Sequence, residues 1–195
     1  MAMAMARRKI AFTQGGHYHI FNHGANRQPI FRENENYRFL LCRVKAAAAE
    51  WRVSVLAYCL MPNHYHFVLR QDGERSVSGF MQAIFNSYAK AFNKRYKRTG
   101  TLFEGPYWAL AVTTEEYLTH LCRYVHRNPL NANLIAHLSE WPYSNYPEWI
   151  EARQGALVDR DFVRSRFPTP KAYERFVLEY TPPERLERLV RRLEQ

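Results

Sequence analysis

The stretch Leu60-Met61-Pro62-Asn63-His64-Tyr65-His66-Phe67-Val68-Leu69 places two histidines at the start of an apolar run. Pro62 and Asn63 favour a turn, and the run that follows them is typical of a buried strand. Because alternate side chains of a strand point to the same face, His64 and His66 emerge together and Tyr65 emerges opposite them. The turn also predicts that the pair lies where a strand enters the sheet, near an edge and near solvent.

Two neutral imidazoles on one face can bind a divalent metal if another part of the chain supplies a third ligand. The spacing alone does not establish this, because the chain has 8 histidines and His17 and His19 share the same spacing. A purely structural role for His64 and His66 therefore stays open at this point.

Strand and helix patterns alternate along the rest of the chain. Apolar residues at helical spacing predict helices over residues 34–51, 77–96 and 114–127, and alternating or β-rich runs predict strands over 17–21, 52–60, 64–70 and 102–112. This order predicts an α+β fold of the ferredoxin-like, split βαβ kind, an antiparallel sheet with helices on one face. Thr113 and Glu116 predict a capping box for the last of these helices, and Pro129 predicts its end.

The residue pattern of the sequence changes at Leu138, where an aromatic-rich irregular segment begins. Helices are predicted after it, over residues 170–180 and 183–193. We therefore divide the chain into a domain over residues 1–137 and a helical C-terminal extension over residues 138–195.

The chain carries 28 Lys and Arg against 18 Asp and Glu, a net charge of +10. Such an excess indicates a polyanionic partner, most often nucleic acid. Basic residues alternate with aromatic ones between Tyr88 and Arg98, as in proteins that bind phosphates and stack unpaired bases. The DNA contacts predicted in this segment are Lys90, Lys94, Arg95, Lys97 and Arg98.

No apolar run approaches the roughly 20 residues of a membrane span, and the N-terminus lacks the pattern of a secretory signal. The three cysteines form no Cys-x-x-Cys pair, which argues against a zinc knuckle and fits reduced thiols in the cytoplasm.

A phenol and an amide lie one helical turn apart in the predicted helix that ends near Pro129. Tyr124 and Asn128 share a helix face, and the Asn128 carbonyl oxygen suits a hard cation. A phenol beside a Lewis acid is the arrangement for attack on a phosphodiester, which would yield a 5′-phosphotyrosine and a free 3′-OH. His126 faces elsewhere on the helix and is interpreted as structural. On this evidence alone, Tyr124 could equally be an ordinary buried tyrosine.

Met61-Pro62-Asn63-His64-Tyr65-His66 resembles the signature of the single-tyrosine HUH transposases, in particular the REP-associated tyrosine transposase group. Four other segments resemble motifs of the group in the same order, namely residues 16–27, 87–105, 123–130 and 141–146. The resemblance spans roughly residues 10 to 150. Two departures, His23 and the stretch Asn131-Ala132-Asn133, replace arginine-containing family motifs and bear on which DNA is bound.

The resemblance implies that His64 and His66 bind the metal, Tyr124 is the nucleophile and Asn128 is an additional ligand. It implies Mg²⁺ or Mn²⁺ as cofactor and single-stranded DNA, often with hairpin repeats, as substrate. Residues 1–137 would be the catalytic domain of a cytoplasmic, nucleoid-associated enzyme that acts as a monomer or homodimer. Three arginines in the matched motifs are further predicted DNA contacts: Arg27, Arg123 and Arg127.

Two other functions are weighed against a DNA-cleaving enzyme. A non-catalytic module could bind single-stranded nucleic acid on the same fold, since sheets with exposed aromatics stack unpaired bases. A metal-dependent hydrolase of a small molecule would leave the basic charge unexplained, and no carboxylate pair accompanies the histidines. Metal-dependent cleavage of a labelled oligonucleotide with a trapped phosphotyrosine separates the enzyme from the module.

Overall fold

The computed structural model describes residues 10–179, and its centre is a four-stranded antiparallel sheet with strand order β2-β3-β1-β4. The strands are β1 (His17–His23), β2 (Val53–Met61), β3 (His64–Gln71) and β4 (Trp108–Val112). The helices are α1 (Asn34–Trp51), α2 (Val77–Arg95), α3 (Glu115–Asn131), α4 (Tyr146–Trp149), α5 (Arg160–Arg164) and α6 (Pro170–Leu178). The predicted ferredoxin-like α+β fold is confirmed. The helix predicted over residues 183–193 lies outside the described residues.

The sheet is covered on both faces. One face carries Tyr18, Ile20 and Phe67, which pack in one cluster with residues of α1 and α2. The other face carries Val68, which packs in a second cluster with α3 and with the segment after it. The α1 and α2 layer matches the predicted one-sided sandwich, and α3 adds a second layer over the histidine face.

The fourth strand is shorter than predicted. It begins at Trp108, whereas the pattern placed it at residue 102. Gly105 has a φ of 71°, a left-handed conformation that a strand does not allow, and Pro106 lacks the N–H that a sheet ladder needs. Residues before the bend therefore form no ladder with the sheet, and they contact the end of β1 through the isolated bridge between Gly24 and Phe103 and through the Glu104 amide, which donates to the His23 carbonyl at 2.9 Å.

Both predicted ends of α3 are wrong, the start by one residue and the end by four. The N-cap is Thr114, whose Oγ1 accepts the Tyr117 N–H at 3.2 Å, and Thr113 lies outside the helix. At the other end, α3 runs through Pro129 to Asn131. A proline removes one backbone donor, and α3 tolerates the loss because the Ala132 and Leu134 amides still bind carbonyls of its last turn. Asn128 therefore keeps helical geometry.

A buried hydrogen-bond network ties α3 to β2 and α6. His126 Nε2 lies 2.9 Å from Asn145 Oδ1, which also accepts the Tyr58 N–H at 2.8 Å. Asn145 Nδ2 donates to the Leu56 carbonyl at 2.9 Å, and the Tyr173 hydroxyl lies 2.6 Å from His126 Nδ1. The structural interpretation of His126 is thus confirmed. The division of the chain at residue 137 stays a prediction.

Loss of the Tyr173 hydroxyl tests this network. We expect Tyr173→Phe to lower the free energy of unfolding by about 1–3 kcal/mol, because it leaves the buried His126 Nδ1 without its donor. Urea denaturation measures the change. The control is Tyr143→Phe, which removes an exposed hydrogen bond to Asn34 and should change stability by less than about 0.5 kcal/mol. Equal effects of the two substitutions would contradict the assignment.

Candidate active site

The structure brings the four predicted site residues together from β3 and α3. The rings of His66 and Tyr124 meet edge to face, with centroids 5.7 Å apart and an interplanar angle of 86°. His64 Nε2 lies 3.5 Å from Asn128 Oδ1. Two residues separated from the histidines by about 60 positions in the chain are therefore their neighbours in space.

The helix itself orients the Asn128 amide. Asn128 Nδ2 donates to the carbonyl oxygen of Tyr124, one turn earlier, at 3.1 Å. This bond uses the nitrogen of the amide and leaves Oδ1 on the side of His64. The oxygen, the atom that a hard cation prefers, is therefore the one that faces the histidine.

The predicted position of the pair near an edge and near solvent is wrong for His66. Strand β3 lies between β2 and β1, and His66 is only 2% exposed, whereas His64 at the first position of the strand is half-buried. Residues of α3 and of the segment after it cover this face, which the turn residues before the pair do not reveal.

Two further histidines, on the neighbouring strand β1, join the site. His23 pairs with His64 across the strands, with ring centroids 5.3 Å apart. His19 Nε2 lies 3.1 Å from His66 Nδ1. The sequence interpretation treated His17 and His19 as a chance pair and missed this contact. The sequence did contain a signal: His19 and His23 are an even number of residues apart, so on a strand they share one face.

Burial keeps these imidazoles neutral. It lowers the pKa of His64 to about 4 and that of His19 to about 3, and it lowers the pKa of His66 well below its ordinary value. Neighbouring histidines add to the effect at His64 and His66, because like charges disfavour protonation. At neutral pH the rings are in the form that binds a metal.

The hydrogen bonds of His64 leave two acceptor atoms facing each other. Its Nδ1 lies 2.8 Å from Asn63 Oδ1, so the single proton of the neutral ring sits on Nδ1 and is donated to Asn63. His64 Nε2 then holds a lone pair, as does the oxygen of Asn128 opposite it. A cation between these atoms would satisfy both.

His66 supplies a third donor atom for a cation, because its Nε2 is buried without a hydrogen-bond partner. Two imidazole nitrogens and an amide oxygen fit a divalent metal. Within residues 10–179, no group of three His, Cys, Asp or Glu side chains is arranged to hold a metal, so the third protein ligand would be the Asn128 amide.

The basic residues of α2 lie on the opposite side of the sheet from the histidines. Lys90 and Lys94 are exposed there, as is Lys97 just after the helix, and Arg95 pairs with Glu33 at 2.6 Å. The residue that follows them, Arg98, is partly exposed, with its guanidinium 5.7 Å from the centroid of the Phe92 ring. Their contact with DNA stays a prediction. The predicted stacking platform is wrong for Tyr88 and Phe92, because both rings are buried in the core.

The three other predicted DNA contacts differ in accessibility. Arg27 is exposed in the turn after β1, and its charge contributes, after burial, to lowering the pKa of His23 to about 4. Arg123 is 3% exposed and donates to the Phe176 carbonyl at 3.1 Å, and Arg127 donates to that of Val177 at 2.8 Å. Both α3 arginines therefore bind the last turn of α6. Their contact with DNA stays a prediction.

Known proteins of similar sequence and fold point to one family. Residues 13–128 match the family model described as "Transposase IS200 like". A Haemophilus influenzae protein assigned to the REP-associated tyrosine transposases is 19% identical over 119 residues, which are 55% of this chain and 67% of that protein. A solved REP-associated tyrosine transposase bound to a REP hairpin has a TM-score of 0.63 at 16% identity, covering 80% of this chain and 94% of that chain.

The solved structure shares the fold with this chain, and at this identity it shows no more than the fold. Among the helices that the structure describes, none is both long and apolar enough to cross a membrane.

The family match extends over more than half of the chain, from the residues before β1 to Asn128 on α3. The chain therefore belongs to the IS200-like transposase family.

Proposed function

We propose that this chain is a metal-assisted endonuclease and transposase that nicks and rejoins single-stranded DNA through a 5′-phosphotyrosine on Tyr124. The observation that carries the proposal is the meeting of the Tyr124 ring with His66 while Asn128 faces His64. A phenol beside three unprotonated donor atoms is the arrangement that phosphodiester attack on a metal-polarised phosphate requires.

The donor atoms for the cofactor are His64 Nε2, His66 Nε2 and Asn128 Oδ1, and the metal is Mg²⁺ or Mn²⁺. A divalent ion held there supplies Lewis acidity to a phosphate oxygen of the DNA. Mg²⁺ and Mn²⁺ prefer oxygen ligands, so the amide oxygen of Asn128 makes these three donors more suitable for them than histidine nitrogens alone. The amides and imidazoles beside the histidines are uncharged, so they do not repel a phosphate.

Tyr124 performs the covalent step. Its hydroxyl loses a proton and the oxygen attacks phosphorus, the bond between phosphorus and the 3′ oxygen breaks, and the departing 3′ oxygen takes up a proton. One phosphodiester replaces another, so the linkage is conserved and a different 3′-OH can reverse the step. A single tyrosine therefore serves both the cut and the rejoining.

The surface supports a single-stranded DNA partner, including hairpin-forming repeats. The net charge of +10 supplies the attraction for phosphates, and Arg27 places an exposed cation near the His23 and His64 end of the site. His64 is the half-buried member of the site, whereas Tyr124 and His66 are buried. The DNA strand therefore approaches from the His64 end of β3. Side chains that cover Tyr124 must move before a phosphate of the DNA reaches its hydroxyl.

The non-catalytic alternative receives less support. Base-binding sheets present exposed aromatic side chains. Here Tyr18, Tyr65 and Phe67 are buried beneath α1 and α2, and the other face carries the histidines under α3. A cytoplasmic, nucleoid-associated location and a monomeric or homodimeric state remain predictions from the sequence.

Removal of the phenolic oxygen tests the nucleophile. We expect Tyr124→Phe to abolish the covalent protein–DNA adduct while binding of single-stranded DNA stays within about twofold, because only the attacking atom is lost. A labelled hairpin oligonucleotide with Mn²⁺, resolved on a denaturing gel, measures the adduct. Tyr117→Phe on the same helix is the matched control and should keep it. An adduct formed by Tyr124→Phe would show that another residue attacks.

Removal of a donor atom tests the metal site. We expect His66→Ala and Asn128→Ala each to weaken Mn²⁺ binding by at least about tenfold, since each removes one of the three protein donors. Isothermal titration calorimetry on the DNA-free protein gives the affinity, and His137→Ala, which removes an exposed imidazole, should leave it unchanged. Mn²⁺ affinity that is insensitive to both substitutions would place the metal elsewhere.

A further inference from the structure

We propose that His19 is a positioning residue for the metal centre, one that accepts the Nδ1 proton of His66 and so keeps the Nε2 lone pair of His66 free for the ion. The inference rests on the proposed function for the identity of the ion. The contact itself joins a side chain of strand β1 to a side chain of strand β3 and does not depend on the reaction.

The two rings are fixed neighbours in the sheet. His19 pairs with Val68 and His66 pairs with Phe21, so the two histidines are diagonal neighbours on the same face. His19 Nε2 and His66 Nδ1 are 3.1 Å apart, and the rings are nearly parallel, at 17°, with centroids 5.3 Å apart. Each residue is 2% exposed, so solvent does not replace either partner.

One proton lies between these two nitrogens, because a neutral imidazole carries a single N–H. If His19 donated it, the proton of His66 would sit on Nε2, which is buried without a partner. Without a metal, either tautomer leaves the buried Nε2 of His66 without a partner, but a proton on that nitrogen would block metal binding. If His66 donates instead, Nε2 holds a lone pair in the position of a ligand. The second arrangement is the one that serves the site.

His66 and His64 are held in the same way, each through a contact at its Nδ1 atom. His64 Nδ1 is held by Asn63 Oδ1 at 2.8 Å, and His66 Nδ1 is held by His19. Such outer partners fix the tautomer of metal-binding histidines and are commonly carboxylates or carbonyls. An imidazole acceptor fixes the proton without adding negative charge beside an incoming phosphate.

The tautomer of His66 is measured directly on the metal-free, DNA-free protein at pH 8, where an imidazole of ordinary pKa is neutral. Long-range ¹H–¹⁵N correlation NMR on ¹⁵N-histidine-labelled full-length chain distinguishes Nδ1–H from Nε2–H rings. We expect the Nδ1–H form for wild-type His66. A wild-type His66 in the Nε2–H form would overturn the proposal without any variant, so the test does not depend on how a substituted chain folds.

Substitutions then link the tautomer to affinity. His19→Phe keeps a ring but removes the acceptor, so His66 should lose its preference for Nδ1–H and Mn²⁺ affinity should fall about 10- to 100-fold. His19→Gln offers an amide oxygen in place of the acceptor and should restore both readouts to within about threefold. His17→Gln, two residues away on the same strand face, is the control and should change neither.

Unchanged Mn²⁺ affinity in His19→Phe, with the wild-type tautomer retained, would show that His19 only fills space and would overturn the inference. A chain that cleaves no DNA but shows the expected tautomer and Mn²⁺ response would refute the proposed function alone. The two failures are therefore distinguishable.

Discussion

The packing of α3 across the histidine face of the sheet is the contact on which the site depends. Strand β3 supplies His64 and His66, and α3 brings the phenol of Tyr124 and the amide of Asn128 to them. A helix can do this because Tyr124 and Asn128 lie one turn apart, a spacing close to that of alternate residues on a strand. Any shift of α3 along the sheet would separate both pairs at once.

This packing buries polar rings, and each needs a partner, since an unpaired buried polar group is costly. The structure meets the requirement for His64 with Asn63 and for His66 Nδ1 with His19. The two Nε2 atoms are different: that of His66 is buried with no hydrogen-bond partner, and that of His64 faces another acceptor, the oxygen of Asn128. Unmet atoms of this kind in an otherwise satisfied cluster mark the place where a ligand completes the site.

Local sequence patterns predicted the parts of the site that lie within one element. Alternation along the strand put His64 and His66 on one face, and helical spacing put Tyr124 and Asn128 on another. Contacts between elements could not be predicted in this way, because strand order is a property of the whole sheet. His19 was therefore missed, although β1 lies directly beside β3. The end of α3 was misplaced because Pro129 lies in a last turn that tolerates it.

The arrangement of α3 also depends on residues beyond the part of the chain that matches the family model, which ends at Asn128. Asn145 and Tyr173 hold His126 from the side of α3 that faces away from the metal ligands. The last turn of α6 accepts hydrogen bonds from the two α3 arginines, which the family resemblance predicted to contact DNA. The same helix thus carries the nucleophile on one side and its anchors on the other. Because these anchors are buried, the segment after residue 138 helps the sheet to set the position of Tyr124.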